Sequence, residues 1–112
     1  MPKSLLLGKM MNMPIIRVSS VISYYTDKQT HFEVSGSTVL EAVQNAVEKY
    51  PKLKFHTFDG DGNLRRHINL FVNDIHVKEL NGNETKVGEN DVIRILAAAA
   101  GGWFVRHFIL DK

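Results

Sequence analysis

Few residues of this 112-residue chain are of a type and spacing that suggest chemistry. Asp59, Asp61 and Asn63 match the first, third and fifth ligands of a calcium loop. That loop also needs Gly at position six and Glu at position twelve, and those places hold Leu64 and Leu70. The stretch reads instead as an Asx-rich turn. Histidines stand at 31, 56, 67, 76 and 107, and no two have the short spacing of a metal-ligand pair. His31-Phe32-Glu33 opens like a zinc-deaminase signature, but that signature requires a pair of cysteines, and the chain has none. The lack of cysteine also excludes disulfides, thiolate-ligated zinc or iron–sulfur, and a cysteine nucleophile. Ser19, Ser20, Ser23, Ser35 and Ser37 lack a nucleophile-elbow context, and no phosphate-binding glycine loop is present. No bound cofactor, metal site or catalytic centre of its own is expected. One feature remains: Gly101-Gly102, behind Ala97 to Ala100. Glycines let a backbone approach a ligand closely, and the alanines keep the approach thin.

The elements that must present this feature can be read from periodicity. Ile15 to Tyr24 is rich in β-branched residues and places Ile16, Val18, Ser20 and Ile22 on one side of a strand. Asp27-Lys28-Gln29 is a polar turn, and Thr30 to Val34 is a returning strand. Ser35-Gly36-Ser37-Thr38 breaks the pattern; Ser37 or Thr38 can cap a helix, and Glu41 falls three residues after Thr38, as in a capping box. From Val39 to Tyr50 the apolar residues fall on one helical stripe, which Pro51 ends. Leu53, Phe55 and Phe58 anchor an ambiguous stretch. Ile68 to Val72 is a strand with Ile68, Leu70 and Val72 toward the core and Phe71 on the other face. Asn73-Asp74 turns into Ile75-His76-Val77, and Asp91 to Leu96 is the last strand. A hairpin, one helix and three further strands make an α+β domain, a mixed sheet packed on one main helix. The order suits the ubiquitin-like β-grasp.

Charge divides the chain. The formal net charge of +2 comes from the two ends, and the stretch between them carries −1. The basic residues are scattered singly or in pairs such as Arg65-Arg66, so a nucleic-acid partner is not expected. The apolar run between Arg94 and Arg106 is too short to span a bilayer, and residues 1–9 lack the apolar stretch of a signal peptide. A cytoplasmic protein with no membrane partner is expected, with residues 1–13 as a flexible extension, 14–102 as the domain and 103–112 as a tail.

The order of these segments resembles the ThiS/MoaD-type sulfur carriers. The similarity rests on Thr38-Val39-Leu40-Glu41-Ala42 followed by Tyr50-Pro51, on Asp61 to Arg65, on Ile68 to Asn73, and on Gly88 to Leu96 leading to Gly101-Gly102. It covers residues 14 to 102, and the central strand looks most like carriers that deliver sulfur to cysteine synthesis. The resemblance implies a protein cosubstrate and not an enzyme. In such carriers an E1-like enzyme uses ATP to adenylate the carboxylate of the last glycine, here Gly102. A sulfur donor protein or sulfide turns the adenylate into a thiocarboxylate, and a synthase accepts the sulfur. Cysteine, thiamine, molybdopterin and thiolated tRNA all remain open as its destination.

The chain departs from that pattern in one respect: Trp103 follows Gly102 in peptide linkage. The resemblance implies a precursor, cut between Gly102 and Trp103 by a metal-dependent peptidase. The alternatives are a ubiquitin-like modifier, or a binding module that keeps its tail with Gly101-Gly102 as a hairpin turn. Three of ten aromatics lie in the last ten residues, and so apolar a segment tends to find a partner. Docking of partner enzymes is expected on the sheet face away from the core, through Phe71, Arg94, Leu96 and Arg17, and along Ala99 and Ala100.

Overall fold

The computed structural model describes residues 12–97. Residues 1–11, and Ala99, Ala100, Gly101, Gly102 and Trp103 with the rest of the tail, lie outside the described residues. The fold is α+β. Strands β1 (Ile15–Val18), β2 (His31–Glu33), β3 (Ile68–Val72), β4 (Ile75–His76) and β5 (Val92–Ala97) form one sheet in the order β2-β1-β5-β3-β4. β1 runs parallel to β5 and antiparallel to β2, and β3 is antiparallel to both β5 and β4. Helices α1 (Val39–Lys49) and α2 (Lys54–Thr57) follow the first hairpin.

The core lies between the sheet and α1. Ile16, Val18, Leu70, Val72, Ile93 and Ile95 alternate inward from the strands against Val39, Ala42, Val43, Ala46 and Val47 of the helix. The alternation in β3 is as expected, with Ile68, Leu70 and Val72 buried and Phe71 half-buried on the opposite face. At the start of α1 the Glu41 amide donates to Thr38 Oγ1 at 3.2 Å. The Glu41 carboxylate accepts from the Ser37 amide at 2.6 Å and the Ser37 hydroxyl at 3.0 Å. The box therefore closes on the residue before the cap. These bonds, the Ser37 amide first, lower the Glu41 pKa below the ordinary carboxylate value. A lowered folded-state pKa stabilises the fold above the unfolded value, and that stabilisation is lost as pH falls through the folded value. Glu41→Gln is expected to flatten this acid limb of the stability curve, read from urea midpoints across the acidic range. An unchanged limb would exclude Glu41 as its source.

Two expectations are corrected. The first strand ends at Val18, not Tyr24, and Ile22–Tyr25 is a 3-10 turn. Ser19 Oγ accepts from the Ile22 amide at 3.2 Å and Ser23 Oγ donates to the Ser20 carbonyl at 2.7 Å. Local side-chain hydrogen bonds thus replace the ladder there, and Ile22 reaches the core from a turn while Ser20 is exposed. Phe55 is not an anchor: Leu53, Thr57 and Phe58 face inward and Phe55 is exposed. Hydrogen bonding takes in Asn12, placed above in the leading extension, since the Gly36 amide donates to its carbonyl at 2.9 Å. The Asx turn is present: Asp59 Oδ1 accepts from the Asp61 and Asn63 amides at 2.9 and 3.0 Å.

Candidate functional site

β5 is the strand that leads to Gly101-Gly102, and it is central in the sheet. It is fixed from both sides and at its start. The Asn73-Asp74 turn has positive φ at both residues (50° and 72°), the geometry of a tight hairpin. From that turn the Asn73 side chain donates to Asp91 Oδ1 at 2.8 Å and accepts from the Val92 amide at 3.0 Å. The strand is thus anchored where it begins.

The face turned away from α1 carries the residues expected to dock partners. Register places Arg17 opposite Arg94, Arg94 opposite Phe71, and extends the row to His31 on β2 and His76 on β4. Leu96 stands opposite Asn69, two residues further along the exit strand and on the same face. Arg17, Arg94, Phe71 and Leu96 are therefore brought onto one surface, and all retain solvent exposure. The Phe71 ring meets His76 edge-on at 5.0 Å. His76 is held in turn, with Nε2 3.1 Å from Asn69 Oδ1 and Nδ1 accepting from the Lys78 amide at 3.0 Å. The Lys78 bond makes Nδ1 the acceptor, which leaves Nε2–H to donate. Arg94 Nη1 lies 2.8 Å from Asp74 Oδ1. A solvent-exposed pair of this kind contributes at most about 1 kcal/mol, and its role here is to aim the guanidinium. Like charges in neighbouring strands repel, and Asp74 relieves that repulsion for Arg94.

Beside the exit of β5 the sheet opens. β1 pairs with β5 only as far as Val18 opposite Ile95, whereas β5 continues to Ala97 beside β3. The gap is a groove of about 320 Å³, lined in part by Arg17, Ser19, Ser20, His31 and Leu96. The groove, His31 and His76 were not legible in the sequence, because only register places them beside Arg17 and Phe71. Among the described residues no group of three or more His, Cys, Asp or Glu side chains is placed to hold a metal, and no helix is long and apolar enough to cross a membrane. The arrangement is a central strand, paired on both sides as far as Ile95, flanked by an aromatic-basic face.

A family model, the ThiS family, matches residues 20–102. The chain belongs to the ThiS family. The sulfur carrier protein CysO of Mycobacterium tuberculosis is 27% identical over 89 residues, covering 78% of this chain and 96% of that protein. The solution structure of small archaeal modifier protein 1 from Methanosarcina acetivorans superposes with a TM-score of 0.73 at 26% identity, covering 82% of this chain and 98% of that one. A chain of the Amycolatopsis orientalis BexX/CysO complex gives 0.68 at 30% identity, covering 79% and 98%. This ThiS-family chain has the ubiquitin-like β-grasp fold and is of the sulfur-carrier or small-modifier type. The curated relatives it matches are sulfur carrier proteins by name.

Proposed function

We propose that this ThiS-family protein is a precursor of a sulfur carrier whose working end is the Gly102 carboxylate. The observation that carries the reading is the extent of the family match, which stops at Gly102 while the sequence continues with Trp103. A peptidase removes residues 103–112. An E1-like enzyme then joins the Gly102 carboxylate to AMP from ATP, releasing pyrophosphate. Hydrosulfide, free or from a donor protein, displaces AMP and leaves a thiocarboxylate that a synthase consumes. The carrier needs no catalytic side chain, because its reactive group is the chain terminus. The CysO protein found in a complex with BexX supports a protein partner for this chain as well. Intact-mass analysis of the protein from its native cells tests the reading. The expected species ends at Gly102 and carries sulfur in place of one oxygen, and uncleaved chain alone in cells with the pathway active would overturn it. Similarity to a small archaeal modifier supports a second reading, transfer of Gly102 to lysine amines. An isopeptide bond to Gly102, found by peptide mapping, would favour that one.

Docking is assigned to the face built by Arg17, Arg94, Phe71 and Leu96, continuing along Ala99 and Ala100. Phe71 is half-buried and points away from the core, so Phe71→Glu should fold normally. Burying an unpaired carboxylate in an interface typically costs several kcal/mol. Activation by the cognate enzyme is expected to fall at least about 100-fold in kcat/KM. An unchanged value would remove Phe71 from the docking surface.

A further inference from the structure

Among the described residues five large apolar side chains are left strongly exposed, and they divide into two groups at different ends of the sheet. Val21, Tyr24 and Phe55 are 74%, 74% and 73% exposed, and Ile75 and Leu80 are 46% and 42% exposed. Val21 and Tyr24 lie on the connection between β1 and β2, at one edge of the sheet. The Tyr25 ring stacks on His56 at 3.6 Å, which sets α2 and its Phe55 against that connection. The Arg65 Nε–H donates to the Phe55 carbonyl at 2.7 Å. Ile75 and Leu80 lie on and just after β4, at the opposite edge.

The two groups also differ in charge. The segments around the first, 21–30 and 51–67, carry Lys28, Lys52, Lys54, Arg65 and Arg66 against three aspartates, a net of +2. The segment around the second, 73–91, carries five acids, Glu79, Glu84 and Glu89 among them, against Lys78 and Lys86, a net of −3, or −2 once Asp74 is set against its partner Arg94. In sequence each apolar group is flanked by charges of one net sign, and an apolar centre with a polar rim is the usual anatomy of a protein interface. The rims have opposite sign, and complementary rims steer association.

We infer that these faces fit each other, so that the Tyr24–Phe55 face of one copy takes the Ile75–Leu80 face of a second copy of this chain. The contact is heterologous, and it extends from copy to copy unless the rotation closes a ring. It uses neither the Arg17–Phe71 row nor the groove beside β5, so it does not depend on the proposed sulfur chemistry.

Sedimentation of the full chain tests it. The weight-average mass is expected to rise above the 12.7 kDa monomer as the chain approaches about 1 mM, where an association worth about 4 kcal/mol becomes visible. It should fall back in about 1 M salt, where charges are screened beyond about 3 Å. Phe55→Asp and Leu80→Lys each spoil one face at an exposed position, and each alone should remain monomeric. Mixed in equal amounts they still hold one intact face of each kind, and should form a species of twice the monomer mass and no larger. Association driven by any other part of the chain would survive in the single variants and would overturn the inference. A wild-type chain monomeric throughout, or a mixture that stays monomeric, would overturn it too. So would a wild-type monomer whose basic face takes a foreign acidic protein or a nucleic acid instead.

Discussion

A chain ending at Gly102 is expected to be adenylated by its cognate enzyme, and the 112-residue chain is expected not to be. The difference is all or none, because adenylation needs a carboxylate oxygen as nucleophile. With Trp103 attached, residue 102 carries an amide carbonyl and no such oxygen. ATP-dependent pyrophosphate release, measured with the purified partner and each chain, reads the difference. A third chain ending at Gly101 separates position from chemistry. It has a carboxylate, but one withdrawn by up to about 3.6 Å, the reach of one extended residue. Displacement of a reacting group by about 1 Å can cost about 100-fold, so this chain should lose at least that factor in kcat while docking is kept. The described fold uses residues 12–97 for its core and sheet, so all three chains should melt within a few degrees of one another. Equal activity of the full and shortened chains would overturn the precursor reading. Equal activity of the chains ending at Gly101 and Gly102 would remove Gly102 as the working end.

The sequence made the helix and β3 legible because each is decided locally. Val39 to Val47 repeats at helical spacing beside a capping residue, and Ile68-Asn69-Leu70-Phe71-Val72 alternates cleanly. The first strand misled because Val21 and Ile22 carry the β-branched run on past Ser19-Ser20. What ends it is a set of serine hydroxyls bonding to nearby backbone, and composition alone does not say whether Ser bonds there or stays in a strand. Phe55 misled for a related reason: over the four residues of α2, periodicity does not separate the inward from the outward side. The face proposed for docking was half legible. Alternation put Phe71 and Arg94 away from the core. That Arg17, Arg94 and Phe71 form one row, with a groove where β1 stops short, depends on register between Arg17 and Arg94, 77 residues apart in sequence, and between Phe71 and Arg94, 23 apart.

Gly36 was legible only as a break in the pattern, and the structure gives it a much larger role. Gly36→Ala is expected to destabilise the fold by about 3 kcal/mol or more. Its φ of +156° lies in a region that side chains rarely adopt. A Cβ there would sit 2.7 Å from the Ala42 nitrogen, 2.8 Å from its Cα and 3.0 Å from its Cβ. Two of those atoms are helix backbone, and the Ala42 amide is itself bonded to the Thr38 carbonyl at 3.0 Å. Neither can yield without moving the first turn of α1 off the sheet. The Gly36 amide also donates to Asn12, so a shift of this backbone would loosen the segment leading into β1. For a domain of this size about 3 kcal/mol corresponds to roughly 12–24 °C in Tm. Gly60 is the control: nothing lies within 4 Å of a Cβ there and its φ is not positive, so Gly60→Ala should stay within about 1 kcal/mol of wild type. Thermal melts of the two variants decide the matter, and equal Tm values would mean that α1 does not need this close approach to hold its place on the sheet.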